Sequence, residues 1–158
     1  MTRTVAFLLV PEVLMLDFAG PVEVFSIANR YLPTADHYRI VTIAAGRRRT
    51  LRCSNGMTIR TELTTQQPPG SYDLLLAHQP RSAPKAEAAG ADLQLSGHTH
   101  GGQFWPWMHF VRLQQPWVSG IHRLGRLTVY ISRGTGYWGP PLRFGAPSEI
   151  TLIRLRKG

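Results

Sequence analysis

Six consecutive apolar residues, Val5-Ala6-Phe7-Leu8-Leu9-Val10, bounded by Arg3-Thr4 and Pro11, constrain this chain more than any other feature. A run without alternation suits a strand covered on both faces, as in a parallel sheet backed by helices. Gly20-Pro21, followed by Val22, Phe25 and Ala28, places a proline in the first turn of a helix running through Asn29. The opening therefore reads strand, loop, helix. A second apolar strand is expected at 38–44. A hairpin is expected at 50–61, where Asn55-Gly56 supplies the positive φ angles of a tight turn. Residues 66–70, with Pro68-Pro69, form a connector, and 72–77 a third buried strand.

Beyond His78 the pattern predicts a short helix at 82–89, with Ser82 as its cap, Pro84 in its first turn and Gly90 as its stop. Leu93 and Leu95 mark another strand. Residues 101–125 are rich in Gly, Trp, Pro and Gln without a sustained period, and read as a long loop with short strands. Strands at 127–132 and 149–156 close the chain, on either side of the Gly- and Pro-rich 134–147. No internal repeat or low-complexity tract occurs.

With 158 residues, 43% of them hydrophobic and 17% charged, the chain has the length of one domain and enough apolar surface to exclude whole-chain disorder. Its apolar runs fall far short of the roughly 20 residues of a membrane span. The first run leads into Pro11-Glu12 and Asp17 instead of a small-residue cleavage site, so the chain reads as cytoplasmic. Cys53 is the only cysteine, which excludes an internal disulfide and a cysteine-based metal cage.

The formal net charge of +9 favours polyanions. It is unevenly spread: residues 1–73 carry 8 basic and 6 acidic side chains, and residues 74–158 carry 10 and 3. Arg47-Arg48-Arg49 reads as a solvated turn, and no nucleic-acid motif accompanies it. Trp105, Trp107, Trp117 and Trp138 offer either a ligand platform or packing on the sheet. His37, His109 and His122 have no partners at ligand spacing.

The densest chemistry lies in Ser96-Gly97-His98-Thr99-His100-Gly101-Gly102-Gln103, where a strand enters a glycine-rich loop. Two imidazoles two positions apart in an extended segment point the same way. With His78 at another strand end, the three histidines are candidate metal ligands.

Leu75-Leu76-Ala77-His78-Gln79-Pro80, the stretch Asp92-Leu93-Gln94-Leu95 leading into that histidine motif, and Ser132-Arg133-Gly134-Thr135-Gly136 with Trp138-Gly139-Pro140 resemble the C-terminal half of calcineurin-like metallophosphoesterases of the bacterial membrane-associated type. The resemblance implies that His78 and His98 bind one metal of a dinuclear centre and His100 the other, with Mn, Fe or Zn as the ion. The family's remaining ligands come from motifs of the types Asp-x-His, Gly-Asp and Gly-Asn-His-Asp/Glu, and none of these occurs in this chain. Two close divalent ions need a bridging carboxylate, which three imidazoles cannot supply.

The first half is similar to another family. Val5 to Pro11, Leu16-Asp17-Phe18-Ala19-Gly20-Pro21-Val22-Glu23-Val24-Phe25, Tyr38-Arg39-Ile40-Val41 and Ser54-Asn55-Gly56 resemble the amidotransferase-like sensor domain of AraC-type regulators, in the DJ-1/PfpI superfamily. That resemblance implies a flavodoxin-like sheet, and it ends before the strand that carries the superfamily's nucleophile. Asp17 reads as a loop residue, Glu23 as a first-turn helix charge, and Cys53 as structural.

The expected fold is therefore α/β, a flavodoxin-like β-α-β start joined to the closing strands of a metallophosphoesterase-type sheet. A DJ-1/PfpI-like segment over 1–74 and a metallophosphoesterase-like segment over 75–158 would merge into one folding unit, a chimera. The expected function is that of an incomplete metal-dependent phosphoester hydrolase. The alternatives are a non-catalytic chimera holding at most one weak divalent metal, and a basic polyanion binder. Surfaces left bare by the missing halves predict a homo-oligomer, and a sharp monomer mass in light scattering at micromolar concentration would overturn that expectation.

Overall fold

A computed structural model describes residues 2–67 and 70–154 of the chain. Nine strands and three helices follow in the order β1 (Arg3–Leu9), α1 (Met15–Asn29), β2 (Tyr38–Ala44), β3 (Thr50–Arg52), β4 (Thr58–Arg60), β5 (Leu63–Thr64), β6 (Leu74–Leu76), α2 (Ala83–Ala88), β7 (Leu93–Ser96), α3 (Trp107–Val111), β8 (Gly120–Leu124) and β9 (Leu127–Ile131). Seven strands form one sheet in the order β5-β2-β1-β6-β7-β9-β8, and β3 and β4 form a separate hairpin. Every neighbour pair in the large sheet is parallel except β8 with β9.

The apolar run at the start is the reason for this topology. β1 lies between β2 and β6, with Val5 in register with Ile40 on one side and Leu74 on the other, and both its faces are covered. On one face Val5, Phe7 and Leu9 pack with Leu74 beneath Phe18, Val22 and Phe25 of α1, and Phe7 meets Phe18 and Phe25 edge to face. On the other, Ala6 and Leu8 join Val41, Ile43, Leu75, Val129 and Ile131 under Ala83 and Ala86 of α2. The chain leaves β1 outward to β2 and returns on the opposite side to β6. Such a reversal opens a crevice outside the carboxyl ends of the two flanking strands.

The strands at 38–44 and 93–96 and the hairpin about Gly56 (φ 84°) stand where the sequence places them. Other expectations are corrected. The first helix starts at Met15, not at Gly20, and encloses Pro21, whose missing N–H leaves the Asp17 carbonyl without its donor four residues on. Asp17 is consequently a first-turn helix residue, and Glu23 sits mid-helix. Ser82 does not cap α2. Its backbone is already helical, and its hydroxyl donates to the Gln79 carbonyl at 2.6 Å. The expected loop with short strands at 101–125 holds one short strand, β8, and also a helix, α3, that the sequence does not predict.

The strand expected at 149–156 is absent over 149–154, and 155–156 lie outside the described residues. β9 already has a neighbour on each side, so the tail finds no open ladder there. It is tied by side chains instead, Glu149 accepting from the Tyr130 hydroxyl at 2.7 Å and the Arg133 N–H at 3.0 Å, while Ile150 and Leu152 stay exposed. Pro68 and Pro69 lie outside the described residues. No helix among the described residues is long and apolar enough to cross a membrane.

Candidate active site

The candidate site forms where β1, β6 and β7 end. Their carboxyl ends are locked together beyond the regular ladder: the Ala77 N–H donates to the Leu95 carbonyl at 3.0 Å and the Gly97 N–H to the His78 carbonyl at 3.1 Å. Beneath them Gln94, fully buried, donates to the hydroxyls of Ser96 and Ser82, and Ser96 donates to the Ala77 carbonyl at 2.6 Å. These bonds fix the backbone on which His78 and His98 sit.

His78 Nε2 lies 3.0 Å from His98 Nδ1, and the two rings meet edge to face. On the opposite edge of the His78 ring, Nδ1 lies 3.2 Å from Asp17 Oδ2, a buried carboxylate oxygen that makes no hydrogen bond. One of the two facing nitrogens, His78 Nε2 or His98 Nδ1, carries the proton that the other accepts. The line Asp17–His78–His98 crosses from the first half of the chain to the second. It is the feature the sequence does not disclose, since Asp17 and His78 are 61 positions apart and Asp17 reads as a loop residue.

The His-x-His segment is not extended. His98 (φ 69°) and His100 (φ 50°) both adopt left-handed backbone, as does Gln103 (φ 59°). The Thr99 N–H donates to the Gly97 carbonyl at 2.8 Å, which makes His98 the centre of the rare γ turn with positive φ. A non-glycine residue held there costs about 1–3 kcal/mol. The two rings therefore do not converge. His98 turns to His78, and His100 Nδ1 meets the Arg143 guanidinium at 3.3 Å.

Arg143 is a second residue the sequence hides within its Gly- and Pro-rich stretch. It donates to the carbonyls of His100 at 3.2 Å, Ala146 at 3.1 Å and Arg133 at 2.8 Å, and also to Gly136. Gln103, 2% exposed, clamps the same loop by donating to the Trp138 and Pro140 carbonyls and accepting from the Trp138 N–H. Partial burial, and then the facing His78 and Arg81, push the His98 imidazole below its ordinary pKa. Burial and Arg143 do the same to His100.

Two open clefts flank His98. One, of about 610 Å³, lies at the crevice between the ends of β1 and β6 and is bordered by Glu12, Asp17, His78, Arg81 and Lys85. The other, of about 550 Å³, is bordered by His100, Gln103, Trp107, Gln114 and Trp138, and Trp107 and Trp138 are stacked with centroids 6.3 Å apart. Of the remaining tryptophans, Trp105 is exposed and Trp117 stacks on His122 against the core. Cys53 is buried in the hairpin turn and borders neither cleft.

Sequence comparison finds metallophosphoesterases, and structure comparison finds a shared fold. No family model matches the chain. A metallophosphoesterase of Campylobacter jejuni is 44% identical over 113 residues, 71% of this chain and 29% of its own length. One of Helicobacter pylori is 49% identical over 84 residues, 52% of this chain and 23% of its own length. Curated homologues are thus metallophosphoesterases over about half the chain, and the chain spans less than a third of those relatives. Among solved structures, a ThiJ/PfpI family protein from Pseudomonas syringae superposes with a TM-score of 0.51 at 15% identity, covering 84% of this chain and 63% of that one. An AraC family transcriptional regulator from Pseudomonas putida superposes with a TM-score of 0.50 at 14% identity, over 83% and 84% of the two chains. The fold is α/β with a mostly parallel sheet of the DJ-1/PfpI type.

The relatives imply divalent metal use, and the residues present do not fit a dinuclear centre. Among the described residues no group of three or more His, Cys, Asp or Glu side chains is placed to hold a metal ion. Asp17 faces the Nδ1 edge of His78 while His98 faces the Nε2 edge, so the carboxylate cannot join that pair of nitrogens around one ion. His100 is turned toward a guanidinium, a neighbour that repels a cation.

Proposed function

We propose that the chain acts on phosphoesters at the carboxyl ends of β1, β6 and β7, with its own histidines and cations in place of the dinuclear centre of its relatives. The Asp17–His78–His98 line carries this reading, because it brings a carboxylate and two imidazoles into contact at a cleft bordered by Arg81 and Lys85 as well as Glu12. The likeness to metallophosphoesterases supports the substrate class, and the excess of ten basic over three acidic side chains in residues 74–158 supports attraction of an anion. The reading includes the two-segment origin of the chain, joined within β6.

Slow turnover of 4-nitrophenyl phosphate is expected, unchanged by excess EDTA and lost in His98→Gln. Turnover that disappears with the chelator and returns with Mn²⁺ would overturn it. So would a wild-type rate equal to that of the variant.

The 3.0 Å between His78 Nε2 and His98 Nδ1 favours a second reading, one weakly held Mn, Fe or Zn ion on these two nitrogens, with His100 apart. Elemental analysis of protein purified without a His tag decides it. About one ion per chain, lost in His98→Ala/His100→Ala, supports this second reading against the first. Association into a homo-oligomer belongs to the same proposal, since α1 exposes Leu16, Val24 and Ile27 to solvent.

A further inference from the structure

We propose that the cleft between α3 and the loop carrying Trp138 binds a flat, uncharged heteroaromatic ring of the nucleobase type, and that Gln115 reads the edge of that ring. The proposal stands apart from the phosphoester reading, since it invokes no step at His78, His98 or His100. At about 550 Å³ the cleft falls within the roughly 300–1,000 Å³ usual for small-molecule sites. Trp107 and Trp138 border it with their planes 15° apart, and Phe110 tilts against Trp107 with centroids 5.5 Å apart. The two indoles stay 42% and 59% exposed at a concave surface, which leaves aromatic faces free for a ligand. They are also held in place. Buried Gln103 donates to the Trp138 carbonyl at 2.6 Å and to the Pro140 carbonyl at 3.1 Å. Trp107 belongs to α3, whose Met108 packs so closely on Gly102 that a Cβ there would stand 2.3 Å from Met108 Cβ. Rings placed before a ligand arrives reduce the ordering cost of binding.

The polar groups of the cleft decide the ligand class. The chain has 18 Lys and Arg and 9 Asp and Glu, yet among the described residues none of these borders this cleft. No permanently charged side chain therefore faces the ligand, which suits a neutral ring. Gln115 borders the cleft and is only 4% exposed. Its Oε1 accepts from the Arg81 N–H at 3.1 Å, which fixes the orientation of the amide, and its Nε2 makes no hydrogen bond among the described residues. A donor left unmatched in so buried a side chain costs free energy that an acceptor on a ligand recovers. A nucleobase answers both features. Its face stacks on indole, and a carbonyl or ring nitrogen at its edge accepts from the Gln115 amide. A sugar ring has acceptors without a flat face, and a simple aryl ring has the face without an acceptor in its plane.

The test is titration of the full chain with uridine, read by calorimetry and by the indole N–H resonances of the four tryptophans. The resonances of Trp107 and Trp138, assigned with single Trp→Phe variants, should shift, while those of Trp105 and Trp117, which border neither cleft, stay in place. Trp138→Ala should weaken uridine binding about 5- to 100-fold, the loss of one base–aromatic stack, and Trp105→Phe should leave it unchanged. Gln115→Glu keeps an acceptor for the Arg81 N–H and removes the donor. It should weaken uridine binding about 3- to 10-fold and leave unchanged the binding of indole, a flat ring with no acceptor in its plane. Gln115→Met repeats the loss of the donor without adding a charge, and circular dichroism verifies that each variant is folded. An oligothymidylate run beside uridine separates two sources of the base: an affinity above that of uridine and falling with salt supports a base offered on a strand, and equal affinities support a free nucleoside. Uridine that shifts neither Trp107 nor Trp138 would overturn the proposal. So would methyl glucoside bound as tightly as uridine, or Gln115 variants that distinguish uridine from indole as well as the wild type does.

Discussion

Asp17→Asn lowers kcat for 4-nitrophenyl phosphate by about 10²–10⁴-fold, the range lost when a positioned acid–base group is disabled, and leaves KM within a small factor of wild type. The carboxylate lies 3.2 Å from His78 Nδ1 and its buried Oδ2 makes no hydrogen bond, so what it brings to that edge of the ring is a negative charge. An amide keeps the shape and loses the charge. It no longer sets a negative charge against the His78 ring. A purely structural role for Asp17 would predict the reverse pattern, a lower melting temperature with an unchanged rate per folded molecule. Two measurements separate these cases. The ¹⁵N shifts of His78 should differ between the wild type and Asp17→Asn, and Asp17→Glu should recover part of the rate. An Asp17→Asn variant with wild-type kcat would remove Asp17 from the site.

That dependence also shows why half of the site was hidden in the sequence. The strand-helix-strand start was legible because the unbroken apolar run of residues 5–10 suits the centre of a parallel sheet, and the hairpin was legible because Asn55-Gly56 encodes its turn. His78, His98 and His100 could be singled out because they stand at strand ends. Their orientation could not, because alternation in direction holds only for extended backbone, and His98 and His100 both have positive φ. Asp17 was missed for a different reason. Its contact depends on the parallel pairing of β1 with β6, a relation between distant segments that local patterns do not carry. α3 escaped because five residues, Trp107–Val111, are too few to show a helical period. The expected last strand was an error of the opposite kind, since Ile150 and Leu152 alternate as strand residues do, yet the edge they would join is already occupied by β7 and β8.

The loop that carries His100 gives the second large effect, this time on stability. Gly102 has φ 80°, and a Cβ there would lie 2.3 Å from Met108 Cβ and 2.5 Å from Met108 Cα, so either α3 or the 100–103 turn must move. The left-handed backbone costs a side chain about 1–2 kcal/mol. The clash adds about 1–3 kcal/mol of overpacking. A total of about 2–5 kcal/mol is a large share of the roughly 5–15 kcal/mol that holds a domain together. Gly102→Ala should therefore melt about 10 °C below wild type in a thermal scan, given about 2–4 °C per kcal/mol for a chain of this size. The neighbouring Gly97 is the control. Nothing lies within 4 Å of a Cβ built there, so Gly97→Ala should melt within about 2 °C of wild type. Equal melting temperatures for the two variants would mean that the turn does not sit against α3 as described. Because Gln103 follows directly and clamps Trp138, a displaced turn would also release the aromatic side of the second cleft. KM for an aryl phosphate should then rise in Gly102→Ala at temperatures where the variant is still folded, while Gly97→Ala leaves it unchanged.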